Sequence, residues 1–277
     1  MNVFIKKEGL NMSSVVITGN ARGFGYAMTE LFYEKGFDVV LCDISETALA
    51  EAKTKLEKNK KGKIVPIKCD ITDETQVLNL IEETKKQLGS IDIWINNAGV
   101  NQPSKPIWEL DKKTIDRLID MDLKGTILCS KCIMPVMIQQ GHGQIFNVEG
   151  YGSNDATQLG LSIYGTSKRA VTYFTEALTK EAEVMNTKVC IGKITPGIMI
   201  TNFINTSLGD GEKIELDEKT KKVYNILGDY PETIAKFMVD KIINNTKNGA
   251  QFTWLTTARA AYRFMSAGFN KRDFFNK

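Results

Sequence analysis

The chain has 277 residues, 42% hydrophobic and 25% charged, enough apolar mass for one globular domain with a sizeable core. Its 36 Lys and Arg against 33 Asp and Glu leave a net charge of +3, which excludes a charge-based case for nucleic acid. No apolar run approaches the ~20 residues of a membrane span, and the opening dozen residues lack the apolar core of a signal peptide, so the cytoplasm is the expected setting.

An apolar run at 14–19 predicts the first strand, and Thr18-Gly19-x-x-x-Gly23-x-Gly25 follows it into a helix over 24–36. Gly19 permits a tight turn, Gly23 lets backbone N–H groups approach a pyrophosphate, and Gly25 lets helix and strand pack closely. A ligand-free turn has the same look, so the rest of the chain decides. The second strand, 38–43, ends on Asp43, 18 residues beyond Gly25, where a carboxylate accepts both hydroxyls of an adenosine ribose. The competing role of helix N-cap falls to Ser45, ahead of a helix over 45–58. The lysine-rich stretch 53–63 reads as a solvated helix end.

A third strand, 63–69, leads to Asp70, within reach of an adenine amine, and then to a helix over 73–88. The fourth strand, 91–96, runs into Asn96-Asn97-Ala98-Gly99, small and amide groups where a cofactor ribose would lie. Within the next helix, 111–140, Cys129-x-x-Cys132 has no second pair and His142 is the only histidine. Five cysteines, mostly in apolar segments, read as buried thiols and not as a metal site or disulfide framework. Then come a strand at 143–148, a helix over 156–186, a strand at 189–195, a helix over 231–246 and a short strand near 251–256. Strands alternating with helices predict an α/β fold: one Rossmann-like, doubly wound domain, 1–277, whose central parallel sheet has about seven strands. Ligands bind such sheets at the carboxyl ends of the strands, where the glycine motif sits.

Tyr164 and Lys168, four apart, share one face of the 156–186 helix. With the glycine motif, Asn-Asn-Ala-Gly, and Pro196-Gly197 with Thr201, in that order over about 14–205, the chain resembles the short-chain dehydrogenase/reductases. The stretches "IDIWINNAG", "GQIFNVEGYGS" and "YGTSKRAV" are most similar to the chlorophyll b reductase-like branch of that family. The resemblance implies a nicotinamide cofactor held by Gly19, Arg22, Gly23, Phe24, Gly25, Asp43, Asp70, Ile71, Asn97, Ala98, Gly99, Tyr164, Lys168, Pro196, Gly197, Ile198 and Thr201. In it, Pro196-Gly197 turns the chain beneath the nicotinamide and Thr201 holds its carboxamide. Lys168 bonds the nicotinamide ribose and its ammonium lowers the pKa of Tyr164, which exchanges a proton with a carbonyl or alcohol oxygen. Arg22, just before the second glycine, suits the 2′-phosphate of NADP(H). Asp43 opposes that phosphate from an anchored strand end, so NAD(H) is expected over NADP(H).

Two positions depart from the family pattern. The catalytic serine falls 13 residues before the tyrosine, where this chain has Tyr151, with Gly150 nearest the motif position. Ser153, on the same loop, is the expected donor, with Tyr151 and Ser162 as rivals. Asp122 replaces the asparagine that kinks the helix and lets a backbone carbonyl hold a relay water; its charge beside Lys168 alters the pH profile.

Residues 201–230 fall where the family keeps a substrate lid, and Gly209 and Gly211 suit a moving loop. The tail 258–277 mixes five aromatics with Arg259, Arg263, Lys271 and Arg272; packing on the protein is expected over contact with a membrane surface. The resulting expectation is an NAD-dependent oxidoreductase interconverting a carbonyl and a secondary alcohol on a large apolar ring-bearing molecule, assembled as a homodimer or homotetramer. With no transit peptide ahead of the first strand, a steroid-like substrate is favoured over a chlorophyll-like tetrapyrrole. A nucleotide sensor without turnover is the competing reading, motivated by the missing serine and asparagine and opposed by Tyr164 and Lys168.

Overall fold

The computed structural model describes residues 13–59, 61–201 and 216–275. Seven strands form one sheet in the order β3-β2-β1-β4-β5-β6-β7: β1 (Ser14–Thr18), β2 (Asp38–Asp43), β3 (Ile64–Lys68), β4 (Ile93–Asn96), β5 (Gly143–Val148), β6 (Val189–Thr195) and β7 (Ala250–Thr253). Every pairing is parallel, and each crossover carries helix. Both faces are covered, so the strands read as unbroken apolar runs. Successive residues enter opposite cores: Val15 and Ile17 join Phe32, Phe146 and Met238 on one side, while Val16 joins Leu80, Trp94 and Ile145 on the other.

The chain leaves β1 toward β2 on one side and returns to β4 on the other, so the strand order reverses at β1. A crevice opens there at the carboxyl ends. Helix α1 (Gly23–Glu34) starts on its rim, and α2 (Glu46–Leu56) and α3 (Glu74–Leu88) follow, capped by Ser45 and Asp73.

Three helical expectations are corrected. The stretch 111–140 divides into α4 (Lys112–Leu118), a π-helical segment Ile119–Gly125 and α5 (Thr126–Gln140). Asp122 lies in the π segment with its side chain fully buried, and at Gly125 a Cβ would stand 2.6 Å from Ile71, so the helix widens where it presses on the crevice. The catalytic-helix candidate begins at Ser162, as α6 (Ser162–Val184), and not at 156, because Gly160 turns the chain at φ +80° against Ser104. Two helices escaped the periodicity reading: α7 (Glu218–Leu227), inside the expected lid, and α9 (Thr257–Ser266), in the tail. Between them α8 (Pro231–Ile243) buries Ile234, Met238 and Ile242 against α1. Residues 202–215 of the expected lid and 276–277 of the tail lie outside the described residues.

Cys129 and Cys132 face the core from α5, and burial pushes both thiols up in pKa. Among the described residues no helix is long and apolar enough to cross a membrane.

Candidate active site

The glycine turn is held from both neighbouring strands. Gly19 N–H donates to the Cys42 carbonyl at 2.8 Å, and the Asn20 side chain bonds Cys42 N–H and the Val40 carbonyl of β2. From β4, the Asn97 amide donates to the carbonyls of Thr18 and Gly19, and the Thr18 hydroxyl accepts Asn97 and Ala98 N–H. Gly19 sits at φ +64° with Ala98 2.8 Å from where a Cβ would be, so no other residue fits. Gly23, at φ +56°, has nothing within 4 Å of that position: its backbone is bare toward the crevice. Gly25 would drive a Cβ to 2.6 Å from Asn97, which explains its packing role.

A cavity of about 1380 Å³ fills the crevice, larger than the ~300–1,000 Å³ of a drug-sized pocket. Gly19, Arg22, Gly23, Phe24 and Gly25 line one end, with Asp43, Asp70 and Ile71 beyond β2 and β3. Asn97, Ala98, Gly99, Tyr164, Lys168 and Thr201 line the middle. A bare N–H cradle at a helix N-terminus, with ample space beside it, fits a dinucleotide. Asp43 Oδ1 accepts Ser45 N–H at 3.0 Å, which fixes the carboxylate at the strand end. The Asn97 amide is spent on the turn, so this residue acts as a strut.

Pro196, Gly197 and Ile198 do not line the cavity; Met199, Ile200 and Thr201 do. Gly197, at φ +75°, packs on Leu255, and the Ile198 carbonyl accepts Asp229 N–H, so the turn serves the frame and presents the next three residues.

Tyr164 and Lys168 meet as the spacing requires, with Nζ 5.6 Å from the phenol centroid. The expected lowering of the phenol's pKa is not what the structure produces. Burial pushes Tyr164 well above the ordinary phenol range, and the charges of Asp122 and then Tyr224 add to it. Lys168 is instead paired with Asp122, Nζ to Oδ2 at 3.7 Å, and both are buried. That partner cancels much of the ammonium's field at the phenol. Asp122 Oδ1 accepts Val100 N–H at 2.7 Å, while Oδ2 is buried without a hydrogen bond. Burial raises the Asp122 carboxyl above its usual range, against the pull of Lys168 and Val100 N–H. Its backbone carbonyl accepts the Thr126 hydroxyl at 3.1 Å.

Replacing Asp122 by Asn keeps the bond to Val100 and removes the charge. The second cause of the raised phenol pKa disappears, so the phenolate forms at lower pH. In alcohol oxidation, where Tyr164 must be deprotonated, the acid limb of the pH–rate profile of Asp122→Asn therefore moves down. An unmoved limb would mean that Asp122 is neutral throughout the working range.

Two of the three hydroxyl candidates are bonded to backbone groups. Ser153 is buried, its Oγ accepting Gly150 N–H at 3.2 Å and donating to the Lys168 carbonyl at 3.4 Å. The Tyr151 hydroxyl donates to the Thr157 carbonyl, and Ser162 is exposed at the start of α6. The residue against the phenol is Gly150, whose Cβ would stand 2.3 Å from the Tyr164 hydroxyl. The donor role expected of Ser153 is corrected to a strut between the loop and α6.

Two further residues escaped sequence reasoning. The N-cap of α6, Leu161, contributes no side-chain bond; Gln102 Oε1, distant in sequence, accepts Ile163 and Tyr164 N–H at 2.9 and 3.0 Å. Glu149, beside Gly150, is buried and accepts the hydroxyls of Thr172 and Thr195, with Lys193 Nζ at 3.9 Å. A lone Gln and a lone Glu carry no sequence signal for either role.

Against known proteins, the family model described as short chain dehydrogenase matches residues 13–211. A probable chlorophyll(ide) b reductase NYC1 of Arabidopsis thaliana is 30% identical over 280 residues, 95% of this chain and 54% of the relative. The chain thus spans about half the length of that relative. The uncharacterized oxidoreductase YxbG of Bacillus subtilis is 33% identical over 213 residues, 77% of this chain and 76% of the relative. Among solved structures, levodione reductase superposes with a TM-score of 0.77 at 20% identity, covering 91% of this chain and 99% of that one. Serine dehydrogenase complexed with NADP+ reaches 0.73 at 24% identity, over 86% and 94%. At these identities the superpositions establish the fold.

Proposed function

Because the chain belongs to the short-chain dehydrogenase family, we propose that it reduces a carbonyl to a secondary alcohol on a large, apolar, ring-bearing molecule with a nicotinamide cofactor. The observation that carries the proposal is the Tyr164–Lys168–Asp122 constellation at the wall of a cavity with a bare glycine cradle at its other end. Bound there, the nicotinamide supplies or accepts a hydride. Tyr164 holds the proton: buried and pushed up in pKa, its phenol stays protonated at neutral pH, which suits donation to a carbonyl oxygen and favours the reductive direction. Lys168, tethered by Asp122, is positioned to reach the cofactor ribose. Gln102 fixes the start of α6 and hence the phenol.

Substrate class rests on the apolar walls Val100, Met199, Ile200, Tyr230 and Phe275. The relatives' names weigh toward a chlorophyll(ide)-like tetrapyrrole, and none of them supports the steroid-like preference. Exposed Tyr173 and Val184 on α6, with Met185 just after it, support a homo-oligomer. The test is reduction of a panel of fused-ring ketones followed by oxidation of the reduced nicotinamide. Nicotinamide binding without turnover of any of them favours the sensor reading.

Cofactor choice is part of the same proposal. Asp43 lines the cavity, its carboxylate held at the strand end by Ser45 N–H, where a 2′-phosphate would lie. NADH is expected to be preferred, and Asp43→Ala to narrow or invert the ratio of kcat/KM values, helped by Arg22. A wild-type preference for NADPH of about tenfold or more, roughly 1.4 kcal/mol, would assign the choice to Arg22.

A further inference from the structure

The tail turns its arginines inward, and over 257–269 its large apolar residues outward. Tyr262 and Met265 of α9 and Phe269 beyond it are exposed, while Arg263 and Arg272 reach across to α7. There they meet Asp229, which is 8% exposed. Asp229 Oδ2 accepts Trp254 Nε1 at 2.6 Å and Arg263 Nη2 at 2.7 Å, and Oδ1 accepts Arg272 Nη1 at 3.0 Å. Arg263 also donates to the Leu227 carbonyl at 2.8 Å, and Arg272 to the carbonyls of Gly228 and Ile226. These carbonyls are the orphan acceptors at the end of α7, where the helix dipole is negative. Two guanidiniums from the tail thus cap the helix.

The same hub reaches the cavity. Asp229 N–H donates to the Ile198 carbonyl and its own carbonyl accepts Ile200 N–H, which sets Met199 and Ile200 in the cavity wall. Beyond Arg272, Phe274 N–H donates to Asn225 Oδ1 and its ring stands edge-on to Tyr230, centroids 5.1 Å apart. Phe275 then falls into the cavity wall, 6.5 Å from the Tyr224 ring.

We propose that residues 272–275 form a pinned wall of the substrate site, with Asp229 as the pin and Phe275 as a specificity-determining residue for fused-ring apolar carbonyl compounds. The substrate class rests on the oxidoreductase reading above; the clasp does not. An aromatic face in the same cavity lining as Tyr230, Met199 and Ile200 adds apolar contact that a second ring meets and a single ring does not. Arg272 is the residue whose loss releases the wall without touching the cofactor end.

The experiment titrates decalone and cyclohexanone into the protein saturated with NADH or NADPH, whichever binds tighter, and measures amide hydrogen exchange. Phe275→Ala is expected to weaken decalone about tenfold more than cyclohexanone, with dinucleotide affinity unchanged. Arg272→Ala is expected to reproduce that loss and to speed exchange across 218–227, with the sheet still protected. Equal weakening of both ketones, a wild type that binds no decalone, or unchanged exchange in Arg272→Ala overturns the inference. Decalone binding with the expected variant pattern but no turnover keeps the wall and defeats the oxidoreductase reading instead.

Discussion

Tyr164→Phe is expected to lower the rate of carbonyl reduction by about 10²–10⁴-fold, the usual worth of a positioned general acid, while affinity for the reduced nicotinamide holds. The phenol lines the cavity beside Lys168, while the Ser153 and Tyr151 hydroxyls are bonded to backbone carbonyls. Phe keeps the ring that fills the space beside Lys168, so the fold and the cradle at Gly19 and Gly23 are untouched. Single-turnover rates with enzyme-bound reduced nicotinamide separate the chemical step from binding. A variant that retains most of its turnover removes Tyr164 from the mechanism, and Lys168 would then have to donate directly.

The second large effect is expected at Gly150. Placing a serine here, nearest the family's motif position, looks like a repair, yet it should be damaging. A Cβ at this position stands 2.3 Å from the Tyr164 hydroxyl and 3.0 Å from both the Tyr164 Cζ and the Lys168 Cγ. The phenol is the softest of these neighbours, so it moves, and a displacement near 1 Å at a reacting group costs about 10²-fold. Gly150→Ala and Gly150→Ser should therefore both lower kcat about 10²-fold, with thermal stability little changed because the shift is taken up by one side-chain end. Activity of Gly150→Ser above the wild type would show instead that the phenol has room to retreat and that the hydroxyl at 150 completes the site.

Asp122 connects the two sites of change. In this chain a glycine stands beside Tyr164 and a carboxylate beside Lys168, and the two fit together in space. The phenol occupies the room the serine would take, and the ammonium finds a carboxylate 3.7 Å away. A buried ion pair of this kind fixes the lysine's position more than it adds stability.

The sequence by itself determined everything written in local pattern. Continuous apolar strands separated by helical periods predict a parallel sheet, and Gly19 and Gly23 predict the turn because left-handed backbone is a property of single residues. Tyr164 and Lys168 share a face because helical geometry alone puts positions four apart together. Tertiary structure decided what depends on contacts between distant segments. The π segment around Asp122 forms where Gly125 presses on Ile71, in the loop after β3, and no window of sequence contains both. Gln102 caps α6 from 61 residues away, and Gly150 proves to be the residue under the phenol only when the β5 loop lies on α6. The expectation for Ser153 missed for that reason: spacing along a chain does not say which way a glycine-rich loop turns its hydroxyls. The tail is the extreme case. Its composition announced aromatics and arginines, but only the fold brings Arg263 and Arg272 onto Asp229, because a buried carboxylate and the bare carbonyls of a helix end attract guanidinium groups wherever they occur in the sequence.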